Sequence, residues 1–184
     1  MTTLTAIETK TTTWNIDSAH SSAQFKVKHM MISNVKGEFT KVTGKLELGA
    51  DIPQSSVEAS IDATSINTRE PQRDAHLKSA DFLDVEKFPV LTFKSTKVQE
   101  KSDGEFRVTG ELSIHGVTRS VVFDVESFTA PTKDPWGGTR IGLSATTKIN
   151  RKDFGLTWNT ALETGGILVG DDVAITLDIE FVKA

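Results

Sequence analysis

The sequence predicts an all-β, antiparallel fold of about eight strands with one short helix, closed as a barrel or stacked as a sandwich. Three observations predict it. Apolar side chains recur with a period of two along most of the chain. Turn residues separate the alternating runs. Each run has one polar and one apolar face, which suits antiparallel strands with one face against a core.

The first run is Ala23, Phe25 and Val27, against Gln24, Lys26 and Lys28. A weaker strand spans residues 37–48. Val57, Ala59, Ile61 and Ala63 then alternate with Glu58, Ser60 and Asp62. Residues 68–83 break the period. Arg73, His76, Leu77 and Ala80 share a helical face at i, i+3, i+4 and i+7, and Pro71 suits a first turn, where its missing N–H costs nothing. Leu91 and Phe93 resume the strands. Phe106, Val108, Leu112 and Ile114 alternate with Arg107, Thr109, Glu111 and Ser113. Gly110 falls in the apolar set, where a missing side chain permits a bend or close approach. Val121, Phe123 and Val125 follow, then Ile141, Leu143 and Ala145. The last run is Val173, Ile175, Leu177, Ile179 and Phe181, against Thr176, Asp178 and Glu180. The turns fall at residues 49–53, at Asp103-Gly104, at His115-Gly116 and in the breaker-rich stretch 133–138.

A chain of 184 residues suits one domain, here residues 14–184, with a large enough interior to bury a core. Residues 1–13 hold seven threonines and read as a disordered N-terminal arm. The net charge of −4 supplies no basic field for nucleic acid. With no cysteine, disulfides, thiolate catalysis and cysteine-ligated metals are excluded. No stretch approaches the ~20 apolar residues of an integral membrane segment. The N-terminus lacks the cationic start and apolar run of a signal peptide. The expected location is therefore cytoplasmic; the alternative is a mature periplasmic chain whose signal has been removed.

The inward set mixes phenylalanines with Ala23, Ala59, Ala63, Gly110 and Ala145. Such small residues leave room for a ligand, and they also arise in ordinary large-to-small packing. Longer runs carry more. These are Trp14-Asn15-Ile16-Asp17-Ser18-Ala19-His20-Ser21, His29-Met30-Met31-Ile32-Ser33-Asn34-Val35-Lys36-Gly37, Arg73-Asp74-Ala75-His76-Leu77-Lys78-Ser79 with Asp81-Phe82-Leu83-Asp84 and Phe88-Pro89, Ile114-His115-Gly116-Val117-Thr118, Ile149-Asn150-Arg151-Lys152-Asp153-Phe154-Gly155-Leu156, and Val169-Gly170-Asp171-Asp172-Val173. In this order and spacing, over about residues 14–183, the chain resembles the YceI-like family. The resemblance implies an eight-stranded, lipocalin-like antiparallel barrel. It also implies carriage of a long apolar or amphiphilic ligand with its tail inside: a polyisoprenoid, an isoprenoid quinone or a fatty-acid-like lipid. No other cofactor is expected.

The candidate ligand contacts are the inward residues Phe25, Val27, Ile61, Phe93, Ile114, Phe123, Leu143, Ile149 and Ile175, with Phe39, Phe82, Phe154, Leu156 and Trp158 at the mouth or wall. His29 continues the parity of Phe25 and Val27 and would meet a ligand head group or a backbone carbonyl. No metal site is expected. His20 and His29, nine residues apart, fall on opposite faces of an unbroken strand, and neither H-x-H nor HExxH occurs. On a helix Arg73 and His76 share a face while Asp74 is turned about 100° away, so the three need not converge as catalytic groups, and anchoring the helix to the barrel end is their plainer role. Asn150, Arg151 and Asp153 mark a strand end and turn, with Arg151 free to pair with a carboxylate. Gly165-Gly166 and Gly170 read as plain turns, and no nucleophile or nucleotide motif is present. No catalytic residue is therefore assigned. A barrel enzyme acting on a small hydrophobic substrate, with His29 or His76 as acid/base, is the alternative. A protein-interaction module, or a homodimer paired through strand edges, is a third reading.

Overall fold

In the computed structural model, residues 10–102 and 104–184 are described. They form strands β1 (Thr12–Ile16), β2 (Ser22–His29), β3 (Ser33–Phe39), β4 (Val42–Leu48), β5 (Ser56–Asp62), β6 (Ile66–Asn67), β7 (Val90–Ser102), β8 (Glu105–Ile114), β9 (Val117–Phe128), β10 (Thr132–Lys133), β11 (Thr139–Asn150) and β12 (Val169–Lys183), with one α-helix, α1 (Pro71–Lys78). Eight strands close a ring in the order β1–β4–β5–β7–β8–β9–β11–β12, and β12 returns to β1. Every pairing in the ring is antiparallel. The described residues thus form an antiparallel eight-stranded barrel with a single short α-helix.

The long strand β12 is the seam. One edge pairs with β11 from Arg140↔Val182 to Asn150↔Asp172. The other edge is shared: β1 pairs at Ile16↔Phe181, and β2 takes over from Asp178↔Ser22 to Val169↔His29. A 3-10 turn at Ser18–His20, capped by the Asp17 carboxylate on Ala19 N–H, separates β1 from β2. From β2 the sheet continues through β3 to β6, outside the ring.

The single strand expected over residues 37–48 is therefore two strands. β3 pairs with β2 while β4 pairs with β1 and β5, so the chain breaks at Thr40-Lys41 to change partners. Trp14 lies on a strand separate from Ala23 for the same reason. β1 starts at Thr12, inside the segment expected to be an arm; residues 1–9 of that arm lie outside the described residues. So does Asp103 of the Asp103-Gly104 turn, although β7 and β8 do pair as a hairpin around it. The helix is shorter than residues 68–83. The Glu70 carboxylate caps it by accepting from Gln72 and Arg73 N–H, and the Ser79 hydroxyl donates to His76 O at its end. Ala80 falls beyond it and is exposed.

The packed core is distributed along the barrel. At one end Trp14, Val42, Ile141, Ile179 and Phe181 cluster. At the other, Ile66, Leu83, Leu112, Ile114, Ile149 and Phe154 do so beside α1.

Candidate functional site

Between these clusters the inward faces enclose a cavity of about 380 Å³, reaching from Ile16, Val42 and Phe181 to Ile149, Val169 and α1. That volume falls within the ~300–1,000 Å³ typical of small-molecule sites. The inward side chains are hydrocarbon except for His29, Arg73, His76 and Arg151; Gln24 and Lys28 also border the cavity, but they alternate with Phe25 and Val27 along β2 and their side chains are exposed. Many inward side chains, among them Phe25, Phe39, Ile61, Phe93, Ile175 and Leu177, are only half-buried although the wall is closed around them. Their remaining surface faces the lumen. Phe181 and Ile141, at the packed end, are each 1% exposed.

Two glycines make room for large rings on the cavity wall. Gly37 pairs with Phe25 across β2 and β3, and a Cβ at position 37 would lie 2.5 Å from Phe25 Cζ. A Cβ at Gly110 would lie 2.4 Å from Phe93 Cζ. Each ring therefore lies against bare backbone on its neighbouring strand, along the wall rather than across the cavity.

The sequence-derived positions Phe25, Val27, His29, Phe39, Ile61, Phe82 and Phe93 lie on the cavity wall. So do Ile114, Phe123, Leu143, Ile149, Trp158 and Ile175, and Leu156. Phe154 does not. It is 1% exposed, in the 3-10 turn Arg151–Phe154, and packs with Ile114 and Ile149 in solid core. It is therefore part of the packed core rather than of the cavity lining. Sequence reasoning missed Leu112, Val125, Ile179 and Phe181 as liners, although they share the parity of assigned neighbours. Leu168 has no such signal, since it lies in a loop outside any alternating run.

The polar liners gather near α1. Arg73 Nε donates to Thr68 Oγ1 at 2.8 Å and Nη2 to Thr68 O at 2.9 Å. The Asp74 carboxylate accepts from Thr68 N–H at 2.8 Å and from its hydroxyl at 2.5 Å. Both side chains thus grip Thr68. His76 Nε2 lies 2.8 Å from Asp81 Oδ2, and its ring stands edge-on to Phe82 and Trp158, with centroids 5.1 and 4.7 Å away. His29, at the end of β2, pairs with Val169.

Arg151 is the most buried charge on the wall, 3% exposed. It donates to the carbonyls of Gly170, Leu156, Trp158 and Val169 and reaches Asp171 at 3.7 Å. Its main partners are carbonyls, with the expected carboxylate secondary. Burial pulls its pKa down, and Asp171 opposes that shift. Asn150 caps the same turn by accepting from Lys152 N–H.

At the opposite end Arg140 donates to Asp17 at 2.6 Å, to Asp134 at 2.8 Å and to Glu180. Chiefly because of Arg140, and then of His20, the Asp17 pKa falls to about 2. Asp17, His20 and Glu180 approach closely enough to share a cation, and the Arg140 guanidinium already bridges the two carboxylates. Among the described residues no helix is long and apolar enough to cross a membrane.

The YceI-like domain matches residues 14–181. A UPF0312 protein of Staphylococcus aureus is 40% identical over 172 residues, covering 92% of this chain and 97% of that protein. Among solved structures, the Campylobacter jejuni YceI protein superposes with a TM-score of 0.68 at 31% identity, over 84% of this chain and 88% of its own. A polyisoprenoid binding domain from Saccharophagus degradans, 15% identical, superposes with a TM-score of 0.66 over 93% and 98% of the two chains, a likeness of fold alone.

Proposed function

Since the chain belongs to the YceI-like domain family, we propose that it binds and carries a long apolar or amphiphilic molecule, of polyisoprenoid, isoprenoid-quinone or fatty-acid type, inside the barrel. The observation that carries this reading is the hydrocarbon-lined cavity of about 380 Å³. A tail held there gains affinity from area. At ~0.8 kcal/mol per buried methylene, about ten methylenes supply ~8 kcal/mol, the scale of micromolar binding, before immobilisation costs. The polar liners set the orientation: the head group lies toward Arg73, His76 and His29, and the tail toward Ile179 and Phe181. The polyisoprenoid-binding description of the Saccharophagus domain supports this ligand class through the shared fold.

The test is organic extraction of purified protein with mass spectrometry, followed by titration with offered isoprenoids and fatty acids. Repeated preparations without lipid, together with no saturable uptake of any offered chain, would sink the proposal.

One observation favours a second reading, a barrel enzyme acting on a small hydrophobic substrate. His76 faces the cavity and is paired with a carboxylate, the arrangement that orients an acid/base. It ranks second because, among the described residues, no serine, threonine, aspartate or glutamate lines the cavity. Absence of any turnover would end this reading, and turnover unchanged by alanine at both His29 and His76 would end their role as its acid/base.

A further inference from the structure

The rim of the cavity carries an apolar tip that the ligand-binding reading does not use. β2 and β3 are joined by a tight turn in which Ile32 N–H donates to His29 O at 3.1 Å. Its central residues Met30 and Met31 have φ of 51° and 63°. A turn left-handed at both centres favours Asn-Gly, yet two methionines occupy it. The side chains project outward: Met30 is 41% exposed, Met31 57% and Ile32 78%. The tip is tied to the rim, because Met30 N–H donates to Leu168 O and the adjoining His29↔Val169 pair lines the cavity.

Behind the tip, the outer face of the hairpin is basic. Lys26, Lys28 and Lys36 are exposed there, and Lys26 faces Lys36 directly across the ladder. Like charges opposed in this way destabilise a hairpin. Among the described residues none of the three has a carboxylate within 4 Å. Among the described residues of the hairpin, Glu38 is the acid on this face, at the end away from the tip; the adjoining β12 carries Asp172, paired with Lys148, and Asp178, which accepts from Ser144, and the turn beside Met31 adds Glu163. In a chain of net charge −4, this stripe is a local reversal of sign.

We propose that Met30, Met31 and Ile32 insert into the interfacial region of an anionic lipid bilayer while Lys26, Lys28 and Lys36 contact its head groups, seating the cavity rim on the membrane. Apolar side chains at a tip backed by lysines are what an anionic interface selects, by buried area and by charge. A second protein copy would instead have to accommodate three unpaired cations. Docking in this pose turns the rim toward the acyl layer, so a tail enters or leaves the barrel without crossing bulk water. That consequence rests on the ligand-binding reading; the docking itself does not.

The test is vesicle flotation of the full-length protein with phosphatidylcholine alone and with added phosphatidylglycerol, at low and high salt. The expected result is binding to the anionic vesicles that high salt weakens. Replacing Lys26→Gln and Lys28→Gln should weaken that binding about 30-fold. The informative tip variant is Met30→Asn with Met31→Gly, which supplies the residues the turn prefers. It should raise thermal stability, leave lipid uptake from solution unchanged, and weaken vesicle binding at least about tenfold. Absence of vesicle binding by the unaltered protein, or tip and lysine variants that bind equally well, would overturn the proposal. Sedimentation showing a dimer that the tip variant dissolves would overturn it too and assign the tip to a second copy. Uptake is measured without vesicles, so failure of docking and failure of ligand binding are read separately.

Discussion

Replacing Ile175 by phenylalanine separates a carrier from a solid core. Ile175 lies midway along β12, between Phe25 on β2 and Thr147 on β11, and its half-buried side chain faces the cavity. The substitution adds about three carbon atoms inside the lumen. If each displaces one ligand methylene, affinity falls by about 2.4 kcal/mol, or about 50-fold in Kd. The protein itself should not suffer, because the ring enters open volume and gains contacts there; its Tm should hold or rise. Competition against a fluorescent polyene fatty acid measures the affinity, and a thermal melt measures the stability. A filled interior predicts the opposite pair of results. Overpacking would cost about 1–3 kcal/mol, lowering Tm by about 2–4 °C per kcal/mol, while Kd stayed put. That second pattern would refute the cavity as the site of binding.

Three further outcomes follow from the structure. Gly110→Val places a Cβ 2.4 Å from Phe93 Cζ and 2.5 Å from Lys94 O, so it should cost about 1–3 kcal/mol in urea unfolding and also weaken ligand uptake as Phe93 is pushed inward; unchanged uptake would mean that Phe93 does not guard the lumen. Arg151→Ala strips the donors from a group of carbonyls and leaves Asp171 without its buried partner, an expected loss of about 3–5 kcal/mol by denaturant titration; a loss below about 1 kcal/mol would show that water replaces the guanidinium. Asp17 has a folded-state pKa of about 2 against an ordinary 3.8, so its pairing with Arg140 stabilises the fold fully above about pH 4 and is lost as pH falls toward 2; the Tm gap between the unaltered protein and Asp17→Asn should close over that window, and a constant gap would exclude the linkage.

The period of two was enough to place the barrel strands and most of the cavity wall, because parity along a strand assigns a side chain to one face wherever pairing is continuous. It failed where the chain changes partners. Nothing within residues 37–48 marks Thr40-Lys41 as a break, since the cause is remote: β3 follows β2 while β4 follows β1. The same remoteness hid the Arg140–Asp17 pair, 123 residues apart in sequence. Phe154 shows a different limit. Its neighbours Ile149 and Leu156 line the cavity, but the 3-10 turn between them removes the two-residue alternation on which the inference depended. Arg73, His76 and Leu77 were placed correctly on one helical face. What could not be read was that this face looks onto the lumen, because that follows from where β6 carries the chain.

The broken first strand is also what makes room. A barrel widens as strands are added, and eight strands alone leave an interior that side chains can fill. At the Arg140 end the wall is the simple ring, and Trp14, Ile141 and Phe181 fill it. Past the turn at Ser18–His20, β2 replaces β1 on the same edge of β12 and brings β3 and β6 with it, so the perimeter at this end exceeds the ring. On this side α1 follows β6 and lines the cavity. It presents Arg73, His76 and Leu77 to the lumen. The partner switch widens the wall at this end, and α1 contributes Arg73 and His76 there to a polar set that Arg151 and His29 complete. A change that rejoined β1 and β2 into one continuous strand, such as shortening residues 17–21, should therefore shrink the lumen as well as alter the topology. Loss of lipid uptake in a variant that keeps its β-sheet circular dichroism would be its signature.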